Sequence, residues 1–155
     1  MLRLTTLPSM FVEVFPCKPV PTSVLADEGD GSEFAFEIVS RFSGKPWSDV
    51  VLEDWINIAG MDTIASYMAL EAFRYYVPSI LLEGAHNPNY LDWALKAILP
   101  MSLGGAVNTF HWQAYQAGFN VRQRVLLHDY LLAVQQVAQP LSEEIFLVQR
   151  GLETW

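Results

Sequence analysis

YMALEAFRYYVPSILL, residues 67–82, is the longest apolar stretch of the chain, and its reading decides the fold. A membrane helix needs about 20 largely uncharged apolar residues. This stretch is shorter and carries Glu71, Arg74 and Pro78, so it reads as a helix of a protein core. On a helical wheel Ala69, Leu70, Phe73, Tyr76, Val77, Ile80 and Leu81 share one arc, with Glu71, Arg74, Tyr75, Ser79 and Leu82 on the remainder. The pattern predicts a helix from near Ser66 to Glu83, stopped by Gly84. Pro78 has no N–H to offer the carbonyl of Arg74, which predicts a kink there or a boundary between two helices.

The segments on either side are helical too. EFAFEIVSRF (33–42) sets Phe34, Ala35, Phe36, Ile38, Val39 and Phe42 on one broad side, with Glu33, Glu37, Ser40 and Arg41 opposite. Ser32 is placed to cap it, Glu37 and Arg41 to pair one turn apart, and Gly44 with Pro46 to end it. Further helices are predicted from about 48 or 52 to Ala59 around Trp55, from Tyr90 to Leu99, from Thr109 to Ala117, from Val121 to Ala138 under an Asn120 cap, and from Pro140 and Ser142 to about Leu152. Residues 101–108, with Gly104 and Gly105, show no period and read as a connection. Residues 16–32 hold three prolines and two glycines, so 1–31 reads as an arm, with at most a short strand near Phe11–Val24. The expected fold is mostly α: one domain over residues 1–155, an irregular orthogonal bundle of six or seven short helices behind a Pro-rich N-terminal arm.

Composition supports a packed core. The 155 residues are 52% apolar and 13% aromatic, with 17% charged. A chain of that size buries roughly 68–70% of its unfolded surface. Nine basic against seventeen acidic side chains give a net charge of −8, which argues against a surface that tracks nucleic-acid phosphates. Cys17 is the single cysteine, so no internal disulfide forms, and a reducing cytoplasm is the expected compartment. The opening residues are interrupted by Thr5, Thr6, Pro8 and Ser9 and lack the apolar core of a signal peptide.

Residues that could carry chemistry do not assemble into a known set. His86, His111 and His128 have no metal-ligand spacing to each other or to a carboxylate. His128 beside Asp129 resembles the adjacent pair of metal-dependent phosphohydrolases, but those need a later Asp, and none follows position 129. There is no GxSxG turn, and Ser43–Gly44–Lys45 lacks the second glycine and the hydroxyl of a phosphate loop. The carboxylate pairs Glu33/Glu37, Glu53/Asp54 and Glu143/Glu144 read as facing solvent rather than one another across a cleft. No catalytic residue, metal or cofactor is therefore expected.

Two features remain. Between Asp27 and Asp62 nine acids stand against Arg41 and Lys45, holding nearly all the excess charge. A surface of one sign speeds encounter with a partner of the other. The expectation is a non-enzymatic protein-binding module, immunity-like or antitoxin-like. Its partner would be a basic toxin or effector, bound through Asp27, Glu28, Asp30, Glu33, Glu37, Asp49, Glu53 and Asp54. Trp47, Trp55, Phe34 and Tyr75 are the candidate aromatic anchors. The alternative is a small-molecule-binding protein or enzyme with a pocket between the aromatic helices that uses Glu71, Arg74, Tyr75 or His111; Glu71 and Arg74, at i, i+3, read first as a structural ion pair locking two helices. Val125 and Leu132, apolar residues inside a polar arc, and the C-terminal Trp155 leave room for a homodimer.

The order VEVFP (12–16), FSGKPW (42–47), EAFRYYVPSILL (71–82) and NVRQRVLLHDYL (120–131) resembles a family of small bacterial proteins of no established activity. The likeness spans about 120 residues and implies a bacterial helical domain. It transfers no catalytic residue, because its motifs are mainly Phe, Trp, Tyr, Leu and Pro.

Overall fold

A computed structural model describes residues 4–100, 102–103, 106–107, 109–138 and 142–155. The chain is mostly helical, as its periodicity predicts. Nine α-helices stand among the described residues: α1 (Leu7–Val14), α2 (Glu33–Phe42), α3 (Leu52–Ile56), α4 (Met61–Tyr67), α5 (Leu70–His86), α6 (Leu91–Lys96), α7 (Thr109–Ala117), α8 (Val121–Gln135) and α9 (Glu143–Thr154). Their buried apolar residues, from Leu7 to Val148, form one cluster.

The two helices beyond the expected seven are α1 and α4. α1 carries Pro8 in its first turn and packs Leu7 and Phe11 into the core against α8, so the first part of the expected arm is helical, while residues 16–32 are non-helical as expected. α4 is cut from α5 at Met68 and Ala69, inside a run of good helix formers. There Leu25 pairs with Met68 as an antiparallel bridge, Ala26 N–H donates to Tyr67 O at 2.9 Å and Ala69 N–H to Val24 O at 2.9 Å. The arm thus takes backbone bonds that a continuous helix would have kept.

Most other helix starts follow the sequence closely, while α3, α6 and α8 end at Ile56, Lys96 and Gln135, short of the expected Ala59, Leu99 and Ala138. Ser32 Oγ accepts from Ala35 N, and Asn120 and Gln123 close a reciprocal capping box at 2.9 and 3.0 Å. Gly44 takes φ +75° after α2, and Arg41 pairs with Glu37 at 3.0 Å. Ser102–Leu103 and Ala106–Val107 pair as two short antiparallel strands, β1 and β2, where an unpatterned connection was expected. Gly104, Gly105 and Pro140 lie outside the described residues.

α5 is the centre of the bundle. Pro78 sits inside one continuous 17-residue helix, and every residue from Tyr76 to Leu81 is buried, including Ser79 from the expected polar side. The helix also runs through Gly84, which serves packing rather than termination. A β-carbon there would lie 2.5 Å from Ala94 Cβ, so α6 crosses against bare backbone.

The polar tips of the aromatic residues tie this helix to its surroundings. Tyr76 Oη lies 2.6 Å from Phe42 O and 3.0 Å from Lys45 O, its one proton serving the open end of α2. Tyr75 Oη donates to Cys17 O at 2.5 Å and accepts from Trp47 N at 3.3 Å. Trp47 Nε1 donates to Phe15 O at 3.1 Å, and Trp55 Nε1 to Ser79 Oγ at 2.9 Å. Tyr130 and Tyr115 donate to Leu81 O and Ala97 O. Among the described residues no buried side-chain nitrogen or oxygen lacks a partner. The motifs FSGKPW and EAFRYYVPSILL are thus two halves of one packing joint.

Candidate functional site

The acidic segment wraps the loop before α2, α2 itself and the turn into α3. Asp27 and Asp30 accept from Gly29 N and Ser32 N, Glu33 opens α2, and Glu28, Asp49 and Glu53 are exposed. Two of the expected contact residues are already engaged. Glu37 is held by Arg41, and Asp54 is buried, with its carboxylate taking Lys45 Nζ at 3.0 Å and Val51 N at 3.1 Å. Asp54 is a structural clamp that joins the 42–47 turn to α3, and it leaves the list of residues open to a partner.

Of the four aromatic anchors expected, Phe34 alone is exposed on this surface. Trp47 and Trp55 are core, and Tyr75 is half-buried. The bundle covers only Ala35, Ile38 and Phe42 of α2, a narrower face than the apolar side of its wheel. Phe36 is left 72% exposed, with Val39 beside it one turn on and Glu33 one turn before. Phe34, also exposed, leans on Tyr67 with ring centroids 5.8 Å apart. An apolar arc about 200° wide on a helix ten residues long is the signal that one helical face could not bury them all.

Glu71, Arg74 and Tyr75 do come together, around a hollow of only ≈ 180 Å³ with Phe15 and Phe119. His111 is not part of its wall. The expected Glu71–Arg74 ion pair is replaced by a different contact. Arg74 Nη1 donates to Ala114 O at 3.1 Å and Tyr115 O at 3.4 Å, while Arg124 reaches Gln116 O and Phe119 O, both at 3.0 Å. Two guanidinium groups thereby cap the carbonyl end of α7, where the helix dipole favours positive charge. Burial holds the phenol of Tyr75, in the wall of this hollow, above its ordinary value; outside the hollow it pushes Tyr76 up to about 12 and lowers His111.

A larger cleft, ≈ 520 Å³, opens between the start of α4, the end of α6 and α9. Its walls include Met61, Asp62, Trp93, Lys96, Glu143 and Arg150. Lys96 is paired with Asp92 at 3.3 Å. The mixture of one indole, two cations and two carboxylates was invisible in the sequence, because the residues come from three helices with no local spacing in common.

His128 Nδ1 lies 3.9 Å from Asp129 Oδ1, and among the described residues no group of three His, Cys, Asp or Glu side chains could hold a metal ion. No described helix is long and apolar enough to cross a membrane. Trp155 is packed rather than free. Its ring lies 5.3 Å from Phe119 and 5.7 Å from Trp112, and Nε1 donates to Ile98 O at 2.6 Å. No family model, curated protein or solved structure matches this chain.

Proposed function

We propose that the chain is a non-catalytic, cytoplasmic protein-binding module of the immunity or antitoxin-like kind, which engages a basic protein through the acidic surface around α2. The observation that carries this reading is Phe36, a large ring held in water on α2 one turn from Glu33, within the acidic segment that also carries Glu28, Asp30 and Glu53. Interfaces concentrate their energy in such aromatic anchors, and a surrounding charge of one sign steers the encounter. Capture from a host lysate on immobilised protein tests it. The reading expects a basic partner that is retained at low salt, released at high salt and lost with Phe36→Ser. Capture indifferent to both salt and Phe36, or no basic partner at all, overturns it.

The size of the α4–α6–α9 cleft supports a second reading, small-molecule binding in that cleft rather than at Glu71, Arg74 and Tyr75. Pockets for such ligands run from roughly 300 to 1,000 Å³ and set a few charged groups in an apolar wall. A ligand screen by thermal shift would give a rise in Tm that disappears with Trp93→Ala. A rise unaffected by that substitution, or none across small acids, amines and zwitterions, removes it.

A further inference from the structure

α8 has two apolar faces and the bundle uses one. Leu126, Leu127, Tyr130, Leu131, Ala133 and Val134 are buried. At about 100° per residue, Val121, Val125, His128 and Leu132 fall within a narrow arc on the opposite side. Val121 is 77% exposed, Val125 55% and Leu132 38%. Their spacing of four, three and four residues is that of a coiled-coil seam, with His128 as its one polar member. Met10 and Val14 of α1 line a groove of ≈ 270 Å³ along the same edge of α8.

We infer that this seam docks a second copy of the same chain, α8 against α8 in antiparallel orientation. The direction follows from charge. Arg122 and Asp129 lie seven residues apart on one flank of the seam, and Arg124 lies on the other. A two-fold axis across an antiparallel pair sets like flanks together, so Arg122 of each copy meets Asp129 of the other, twice by symmetry. The same register sets Val121 opposite Leu132 and Val125 opposite His128. A parallel pair would instead bring the Arg122 flank against the Arg124 flank at nearly equal height and stack His128 on His128. Arg122 pairs with Glu13 at 2.7 Å within its own chain, and both side chains are exposed, so the guanidinium is held at the edge where the second Asp129 arrives. The seam is about 16 Å long, so the interface is small and association is expected at about micromolar concentration or weaker.

Sedimentation across concentration tests the assembly. The expected mass rises from 17.5 kDa toward twice that value, while Val125→Asp stays at one copy with its helical circular dichroism intact. Orientation is read by cysteine pairing in a Cys17→Ser background: Val121→Cys protein mixed with Leu132→Cys protein is expected to form a crosslinked dimer on mild oxidation, and neither alone. A chain that stays single at every concentration, association that survives Val125→Asp, or crosslinking of Val121→Cys with itself overturns the inference.

Discussion

The guanidinium of Arg74 occupies the space where a side chain at Gly118 would begin. A β-carbon there would fall 2.2 Å from Arg74 Cζ, so a residue just past the end of α7 is glycine because an arginine from α5 lies over it. The arginine can swing aside, and what is lost is its pair of carbonyl bonds. Gly118→Ala is therefore expected to cost about 1–2 kcal/mol in urea unfolding. In an Arg74→Gln background the same change should be close to silent, a coupling that a double-mutant cycle measures directly.

Gly84 gives the contrasting case, since its obstacles are Ala94 Cβ at 2.5 Å and the Tyr90 carbonyl at 3.3 Å. Neither is a flexible tip. Gly84→Ala gains about 1 kcal/mol of helix propensity and meets overpacking of roughly 1–3 kcal/mol, so a net loss is expected. Adding Ala94→Gly removes the first obstacle and should recover most of that loss. A stabilised Gly84→Ala would mean that α5 and α6 stand further apart.

Exposure separates Phe36 from Ile38 on α2. Phe36→Ser should leave stability within about 0.5 kcal/mol, as surface changes usually do. Ile38→Ala, at a fully buried position, should cost about 2–4 kcal/mol by thermal or denaturant melting.

The tyrosines predict the alkaline limit. Burial raises Tyr76 to about 12 and lifts Tyr115 and Tyr130 as well, against an ordinary value of 10.0. Above pH 10.0 the unfolded chain releases these protons while the folded chain keeps them, so stability is complete below that pH and falls as pH rises through and beyond it. His111 acts at the other end. Its value is lowered by burial from 6.5, so the unfolded state takes up a proton first as pH falls below 6.5, and stability declines there. Urea midpoints against pH check both arms, and His111→Gln should flatten the acid one.

The sequence revealed the helical class and most helix starts, because Ser32, Asn120 and Ser142 cap locally and the apolar periods are strong. What it concealed came from distant segments. The break at Met68 and Ala69 is made by Val24, Leu25 and Ala26, and Gly84 and Gly118 are decided by Ala94 and Arg74. Local propensity carries no trace of such partners. The candidate site was less legible still. The acids between 27 and 62 were visible, yet Asp54 proved a buried clamp, and Phe36 was counted among the apolar side of a helix whose covered face turned out narrower. The α4–α6–α9 cleft had no signal in the chain at all.

The unbroken burial of Tyr76 through Leu81 has a dynamic consequence. A helical segment packed against α1, α3, α6 and α7, and bonded through Tyr76 and Tyr130 to α2 and α8, can exchange its amide hydrogens only when that packing comes away, so its slowest amides should report global opening. Deuterium uptake at Val77, Ser79, Ile80 and Leu81 should thus run at the rate set by the whole molecule's free energy. The ends of α5, beyond Phe73 and Gly84, should label first.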